Sequence, residues 1–354
     1  MKINLRKYLS ADALFSLVRS GFEKVTDYRQ LTEEPTKKIK IFLTDALMSG
    51  FAIFSLKDPS LLAFDKRRAT DKNLENIYKI ENVPCDTQMR TILDEVEPLD
   101  ISASFTDVFR QLQRGKVLEK LVFFNGCYLL SLDGTGYFSS DKIHCEACLE
   151  KKHKGTGETT YYHQMLGTAI VHPDFKEVIP LAPEPIIKQD GQSKNDCERN
   201  ASKRFFEKLR EDHPHLPLIV IEDALSSNAP HIKELERHGL HYILGIKEGD
   251  HPFLFEYLKE ASQKGLIREF EYTDNTNITH RFCFINQIPL NASNQEQLVN
   301  FVEYWEIRPN KTQHFSWITD IKVSKENVFQ ITRGGRARWK IENETFNTLK
   351  NQGY

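Results

Sequence analysis

Three acidic residues stand where metal-dependent chemistry would need them. Asp133 ends "CYLLSLD", Asp223 ends "LIVIED", and Glu342 lies inside "RGGRARWKIENETFNTLKNQGY". Both aspartates close apolar, β-rich runs, and the carboxyl ends of strands are where open α/β sheets collect their ligands. Glu342 follows Arg338 by four positions, and Phe346 and Leu349 continue that stripe, so a helix would turn the acid toward the core with its apolar neighbours. Converging hard carboxylates suit Mg²⁺ or Mn²⁺, which keep several waters and accept phosphate oxygens as further ligands. A pair of such ions about 3.5–4 Å apart activates a water or a 3′-hydroxyl and stabilises the leaving oxygen in phosphodiester cleavage or transfer. Each residue alone has a plainer use. An aspartate after a strand commonly caps the next turn or helix, and Glu342 can pair with Arg338 as an i,i+4 couple. Their order and surroundings make the case for metal.

The elements around them divide the chain. Residues 1–120 read as an all-helical region: "SADALFSLVRSGFEKV", "KIKIFLTDALMSGFAIFSL", "CDTQMRTILDEV" and "ISASFTDVFRQLQRGKVLEKL" space their apolar residues for helices, with Ser or Asp near each start to cap it. This region is a candidate for DNA binding or dimerisation. Residues 121–267 turn β-rich. "GCYLLSLDG", "YYHQMLGTAIVHP" and "FKEVIPLAPEPI" read as strands, followed by a helix capped near Asn195 or Asp196, the buried strand "LPLIVIED", the helix "SSNAPHIKELERHG" and the buried strand "HYILGIK". Three strands and then alternating helix and strand predict an α/β fold with a mixed sheet flanked by helices, in the order that the ribonuclease-H-like fold uses. Residues 268–332 ("REFEYTD" to "NVFQITR") read as an inserted β subdomain, and 333–354 as the final helix of the core.

A formal net charge of −2 excludes a protein that is polybasic overall but leaves room for basic patches, at Lys37, Lys38 and Lys40, at Lys66, Arg67 and Arg68, and at Arg333, Arg336, Arg338 and Lys340. The opening "MKINLRKYLSADALFSLVRSGF" lacks the pattern of a secretory signal, and the longest apolar stretch, "IFLTDALMSGFAIFSL", is broken by Asp45. The expectation is a cytoplasmic protein with no membrane partner. The cysteines do not form a secreted disulfide framework, but "HCEACLEKKH" offers Cys145 and Cys148 at the spacing of half a zinc site. His144, His153, His163 and Cys197 are candidates to complete it, and reduced buried thiols are the plainer reading.

"LSLDGTGYFSS", "CEACL", "TYYHQ", "VHPDFKEVIPLAPEPI", "KNDCERNASKR", "EDALSSNAPHI", "YILGIKEGDH" and "GRARWKIENETFNTLKNQGY" together resemble bacterial insertion-sequence DDE transposases that carry a β-strand insertion before the catalytic Glu. The likeness runs from about residue 50 onward. It implies a ribonuclease-H-like fold, divalent metal, and cleavage and strand transfer of double-stranded DNA at the terminal inverted repeats of a mobile element. It also implies a homodimer that pairs two ends, associated with the nucleoid when bound. Asp133, Asp223 and Glu342 match the catalytic triad. The group's C-terminal signature is Tyr, two residues, Arg, three residues, Glu, six residues, Lys. Arg338 and Glu342 fit it, whereas Gly335 stands at the Tyr position and Leu349 at the Lys position, with Lys350 one residue late. The resemblance gives Arg338, Arg336 and Lys350 to DNA phosphates and Trp305 to a base displaced from the element end. The chain stops at Tyr354, so a truncated or domesticated relative that binds DNA without cutting it is the alternative. A minor alternative is a phosphatase of the haloacid-dehalogenase kind, which "SLDGT" resembles. That chemistry needs an aspartate nucleophile where this chain has Ser131.

Overall fold

Helices fill the described chain as far as Leu121, and strands begin at Val122. The computed structural model describes residues 10–30, 39–188 and 195–351. Two compact units result. One comprises Met1–Lys120, Pro180–Pro185 and Phe346–Tyr354, the other Leu121–Ile179 and Ile186–Thr345.

In the first unit, helices Ala11–Phe22, Leu43–Leu56, Leu61–Arg68, Asn73–Asn76, Asp86–Leu93 and Ser102–Arg114 surround a core that includes Met48, Phe64, Tyr78 and Met89. Ser10 caps the first of them, its Oγ accepting from the Ala13 N–H at 3.2 Å. Asp45, the acid that interrupts the long apolar run, is fully buried. It accepts from Arg19 Nη1 at 3.1 Å and from the backbone N–H groups of Glu81 and Asn82 at 3.3 and 3.0 Å. That carboxylate therefore fastens a loop to a helix. Arg67 pairs with Asp58 and Asp71, and Arg68 with Asp65, so much of this basic run is neutralised by its own neighbours. Lys37 and Lys38 lie outside the described residues. Among the described residues no single helix is long and apolar enough to cross a membrane.

The second unit is built on a mixed sheet. The strands of the chain are β1 (Val122–Phe124), β2 (Cys127–Ser140), β3 (Leu149–Lys152), β4 (Thr159–Val171), β5 (Ile179–Pro180), β6 (Glu184–Ile186), β7 (Leu218–Glu222), β8 (His241–Gly245), β9 (Arg268–Thr273), β10 (Thr279–Asn291), β11 (Asn294–Arg308) and β12 (Lys311–Thr319), of which β5 and β6 fall partly within the first unit. The main path runs β3-β4-β2-β7-β8-β12-β11-β10-β9. β2 pairs antiparallel with β4 and parallel with β7, and β7 pairs parallel with β8. Parallel neighbours need crossovers, which helices Glu198–Asp212 and Ala229–Arg237 accompany. The second starts at Asn228, whose Oδ1 accepts from the His231 N–H at 3.2 Å, and Gly239 ends its exit turn at φ +61°.

Three local expectations are corrected. "FKEVIPLAPEPI" yields only the short β5 and β6, because Pro180, Pro183 and Pro185 cannot donate to a ladder. The helix at 198 is capped by neither Asn195 nor Asp196. Asn195 instead brackets the backbone of Glu150, and Asp196 pairs with Arg204. "NVFQITR" is not a strand but the start of helix Val328–Arg336, which buries Val328, Ile331, Thr332 and Gly335 at helical spacing. The β-rich residues after 268 supply β9 to β12, of which β12 hydrogen-bonds to β8 and continues the central sheet.

Candidate active site

β2 does not stop at Asp133. It runs on to Ser140 along β4, with Asp133 opposite Gly167 and a shift of register between Gly136 and Phe138. Gly134 keeps this stretch extended while the carboxylate of Glu198, at the start of its helix, lies where a side chain on residue 134 would stand. Asp223 directly follows β7, and its Oδ1 accepts from the Leu225 N–H at 2.9 Å, so the residue also serves as a cap. The turn behind it is held by Ser227, whose hydroxyl donates to the carbonyls of Ala224 and Gly245 at 2.8 Å each.

Glu342 lies in a π-helical stretch, Ile341–Phe346, that follows a tight turn at Ala337–Trp339. Ser131, buried on β2, ties that turn to the sheet by donating to the Arg338 carbonyl at 2.9 Å. The commitment of this hydroxyl leaves the phosphatase reading with neither an aspartate nor a free hydroxyl at position 131. Arg338 Nη1 then reaches Asp133 Oδ2 at 3.3 Å and Glu342 Oε1 at 2.8 Å. Glu342 is not turned into the core as its helical stripe predicts. Its side chain is 46% exposed, and Leu349 farther along the stripe is exposed too, because a π turn rotates residues out of the i,i+4 alignment.

Electrostatics binds these groups into one site. The Asp133 carboxyl is pushed up to about 7, by burial first. The Arg338 charge opposes that shift, and a hydrogen bond and charge from Glu342 together with the charge of Asp223 add to it. Glu198, which the sequence reading missed, is also raised, by burial of its carboxyl end and by the charge of Asp223, against a 2.9 Å hydrogen bond from Gln164. A cleft of about 440 Å³ is lined by Asp133, Gln164, Glu198, Glu222 and Asp223. Beneath it Glu222 Oε2 sits 2.6 Å from His231 Nε2, both side chains buried, and Glu222 Oε1 accepts from Ser226 at 3.1 Å.

A second cavity, of about 810 Å³, shares Glu222 and Asp223 with this cleft and extends past Arg338, Lys247 and Trp305. The Trp305 ring stacks on His314 at 4.8 Å between centroids, with Arg281 at 5.3 Å. Arg336 turns inward, ion-paired to buried Glu306 and lying 4.9 Å from the Phe315 ring. Lys350 is exposed on helix Asn347–Asn351.

No protein-family model matches the chain, and no curated protein matches it. The chemistry of the site therefore rests on its own geometry. A largely buried carboxyl whose proton affinity is raised by neighbouring acids, beside a single guanidinium, marks a place that gains from a bound cation. Asp133, Asp223 and Glu342 fit a hard divalent ion by their chemistry. They are not drawn as tightly together as Cys145, Cys148 and His163, the one such group among the described residues whose ligand atoms all lie within 4.8 Å of one another.

Proposed function

We propose that this chain is a metal-dependent DNA transposase of the insertion-sequence DDE kind, with a ribonuclease-H-like core. The observation that carries the reading is the meeting of Asp133 and Glu342, drawn from a strand and a distant helical segment, with Asp223 within electrostatic reach. An antiparallel pair, β2 with β4, followed by parallel β7 and β8 supports the fold.

Asp133, Asp223 and Glu342 would hold Mg²⁺ or Mn²⁺. Bound there, such an ion supplies a Lewis acid for phosphodiester cleavage, in which a water oxygen joins phosphorus and the 3′-oxygen leaves as a hydroxyl. Arg338 offers a guanidinium beside the carboxylates, where it can release them to grip a DNA phosphate with two N–H groups. Trp305 and Lys247 line the cavity that leads from Asp223, and an aromatic face with a cation beside it suits a displaced base and its phosphate. Lys350 contributes charge toward duplex DNA, and pairing of two element ends calls for a homodimer. Arg336 is the weaker DNA contact, because its charge is matched by Glu306.

The test is calorimetric binding of Mg²⁺ or Mn²⁺ together with nicking of supercoiled plasmid. Saturable binding and metal-dependent nicking, both lost in Asp133→Ala, Asp223→Ala and Glu342→Ala, are expected. Full nicking by those variants would overturn the assignment. DNA binding without metal binding or nicking would favour the non-cutting relative.

A further inference from the structure

We infer that Cys145, Cys148 and His163 hold a zinc ion that fastens the β2–β3 connection to β4, a site independent of the carboxylates and of the transposase reading. Cys145 Sγ and Cys148 Sγ are 3.7 Å apart, and His163 Nε2 is 3.3 Å from the first and 3.4 Å from the second. Zinc bonds of about 2.3 Å to sulfur and about 2.0–2.1 Å to nitrogen, set at tetrahedral angles, place two sulfurs about 3.8 Å apart and sulfur and nitrogen about 3.5 Å apart. The three atoms thus occupy three corners of a tetrahedron of the right size. A disulfide would need the sulfurs at about 2.0 Å.

The backbone closes around the two sulfurs. The Cys145 N–H points at Cys148 Sγ at 3.3 Å, and the Cys148 N–H donates to the Cys145 carbonyl at 3.2 Å, closing a tight knuckle around the pair. The Tyr137 ring lies parallel to His163, at 9° and 5.8 Å, and fixes the plane of the imidazole. Cys148 is buried and Cys145 exposed, so the fourth corner opens toward solvent, where a water can complete the coordination. His153 is engaged elsewhere, with its Nε2 2.9 Å from Thr160 Oγ1. His144 stacks on Tyr161, and Cys197 is exposed ahead of helix Glu198–Asp212. Binding converts two thiols to thiolates and releases two protons to solvent, leaving the two thiolates to balance the dication.

The test uses the reduced full-length chain. One equivalent of Zn²⁺ is expected to bind with proton release, read by calorimetry in buffers of different ionisation enthalpy. Substituted Co²⁺ should show an intense sulfur-to-cobalt charge-transfer band with the visible bands of a four-coordinate ion. Oxygen ligands such as Asp133 give no sulfur band, so the wild-type spectrum decides between the two sites even where a variant folds poorly. Cys148→Ser and His163→Gln should lose the ion, whereas His153→Gln and Cys197→Ser should keep it. A cobalt complex without sulfur charge transfer, unchanged binding in Cys148→Ser and His163→Gln, or a Cys145–Cys148 disulfide in chain isolated without added oxidant would each overturn the inference.

Discussion

The indole of Trp317 lies against Gly335 so closely that a Cβ there would stand 2.5 Å from Trp317 Cε2. The position at which the signature of the resembled transposases places a tyrosine is thus filled from the preceding strand, β12, and the rigid ring cannot swing aside as a flexible chain end could. Gly335→Ala is expected to destabilise the protein by about 1–3 kcal/mol, the usual cost of overpacking a core. Chemical denaturation of the variant measures it, and an unchanged midpoint would show that Trp317 yields.

The raised Asp133 carboxyl gives stability a definite pH dependence. An unfolded chain releases this proton near pH 4, whereas the folded chain holds it to about 7. Its stabilising contribution is therefore complete below about pH 4 and is lost as pH rises through 7. In chelator, Asp133→Asn should flatten that slope and be the more stable form at pH 8, by on the order of 2 kcal/mol once partial solvent access is allowed for. Parallel pH slopes for the two proteins would contradict this.

His231 and Glu222 predict the opposite kind of damage. Burial lowers the imidazole pKa, but the charge and hydrogen bond of Glu222 outweigh it, and the net shift is upward. The stability from this pair is present below about pH 6.5 and declines as pH rises through the elevated folded value. His231→Ala strands a buried acid and should cost about 3 kcal/mol. The double variant with Glu222→Gln should recover part of that loss in a thermal melt.

Asp45 makes a similar demand on the helical unit. Replacing it with Ala leaves two backbone N–H groups and part of Arg19 without their acceptor, and a loss of about 3 kcal/mol is expected. Exchange of the Glu81 and Asn82 amides should accelerate in the same variant.

Arg338→Gln addresses the DNA reading directly. It should weaken duplex binding and reduce the slope of log affinity against log salt by about one unit, as the loss of one phosphate contact does. An unchanged slope would confine Arg338 to the carboxylates.

The parts of this architecture that the sequence made legible are those decided by local pattern. β7 and β8 read as buried strands because both faces are covered, and Asn228 and Gly239 bound their helix by chemistry that shows in single residues. Asp223 followed from the end of β7. What stayed hidden depends on contacts from afar. The strand that reads as ending near Asp133 continues through Gly134 and Gly136, at the first of which Glu198 approaches from another element. Val328–Arg336 carries β-branched residues whose helical spacing is outweighed in any short window. His163 could not be chosen over His153 as the partner of the cysteines, since sequence distance says nothing of which strand lies beside the knuckle.

The order of the sheet also bears on how copies of this chain meet. Its path ends on β3 and β9, whose outer rims would invite another chain to add a strand and grow a fibre. β3 is only four residues long and exposes Lys151 and Lys152, and β9 exposes Arg268, Glu269 and Glu271 while Lys325 covers the Phe270 ring at 5.5 Å. Edge-to-edge growth at either end would press these charges together out of water. Aggregation by strand addition is thereby discouraged at both ends of the path.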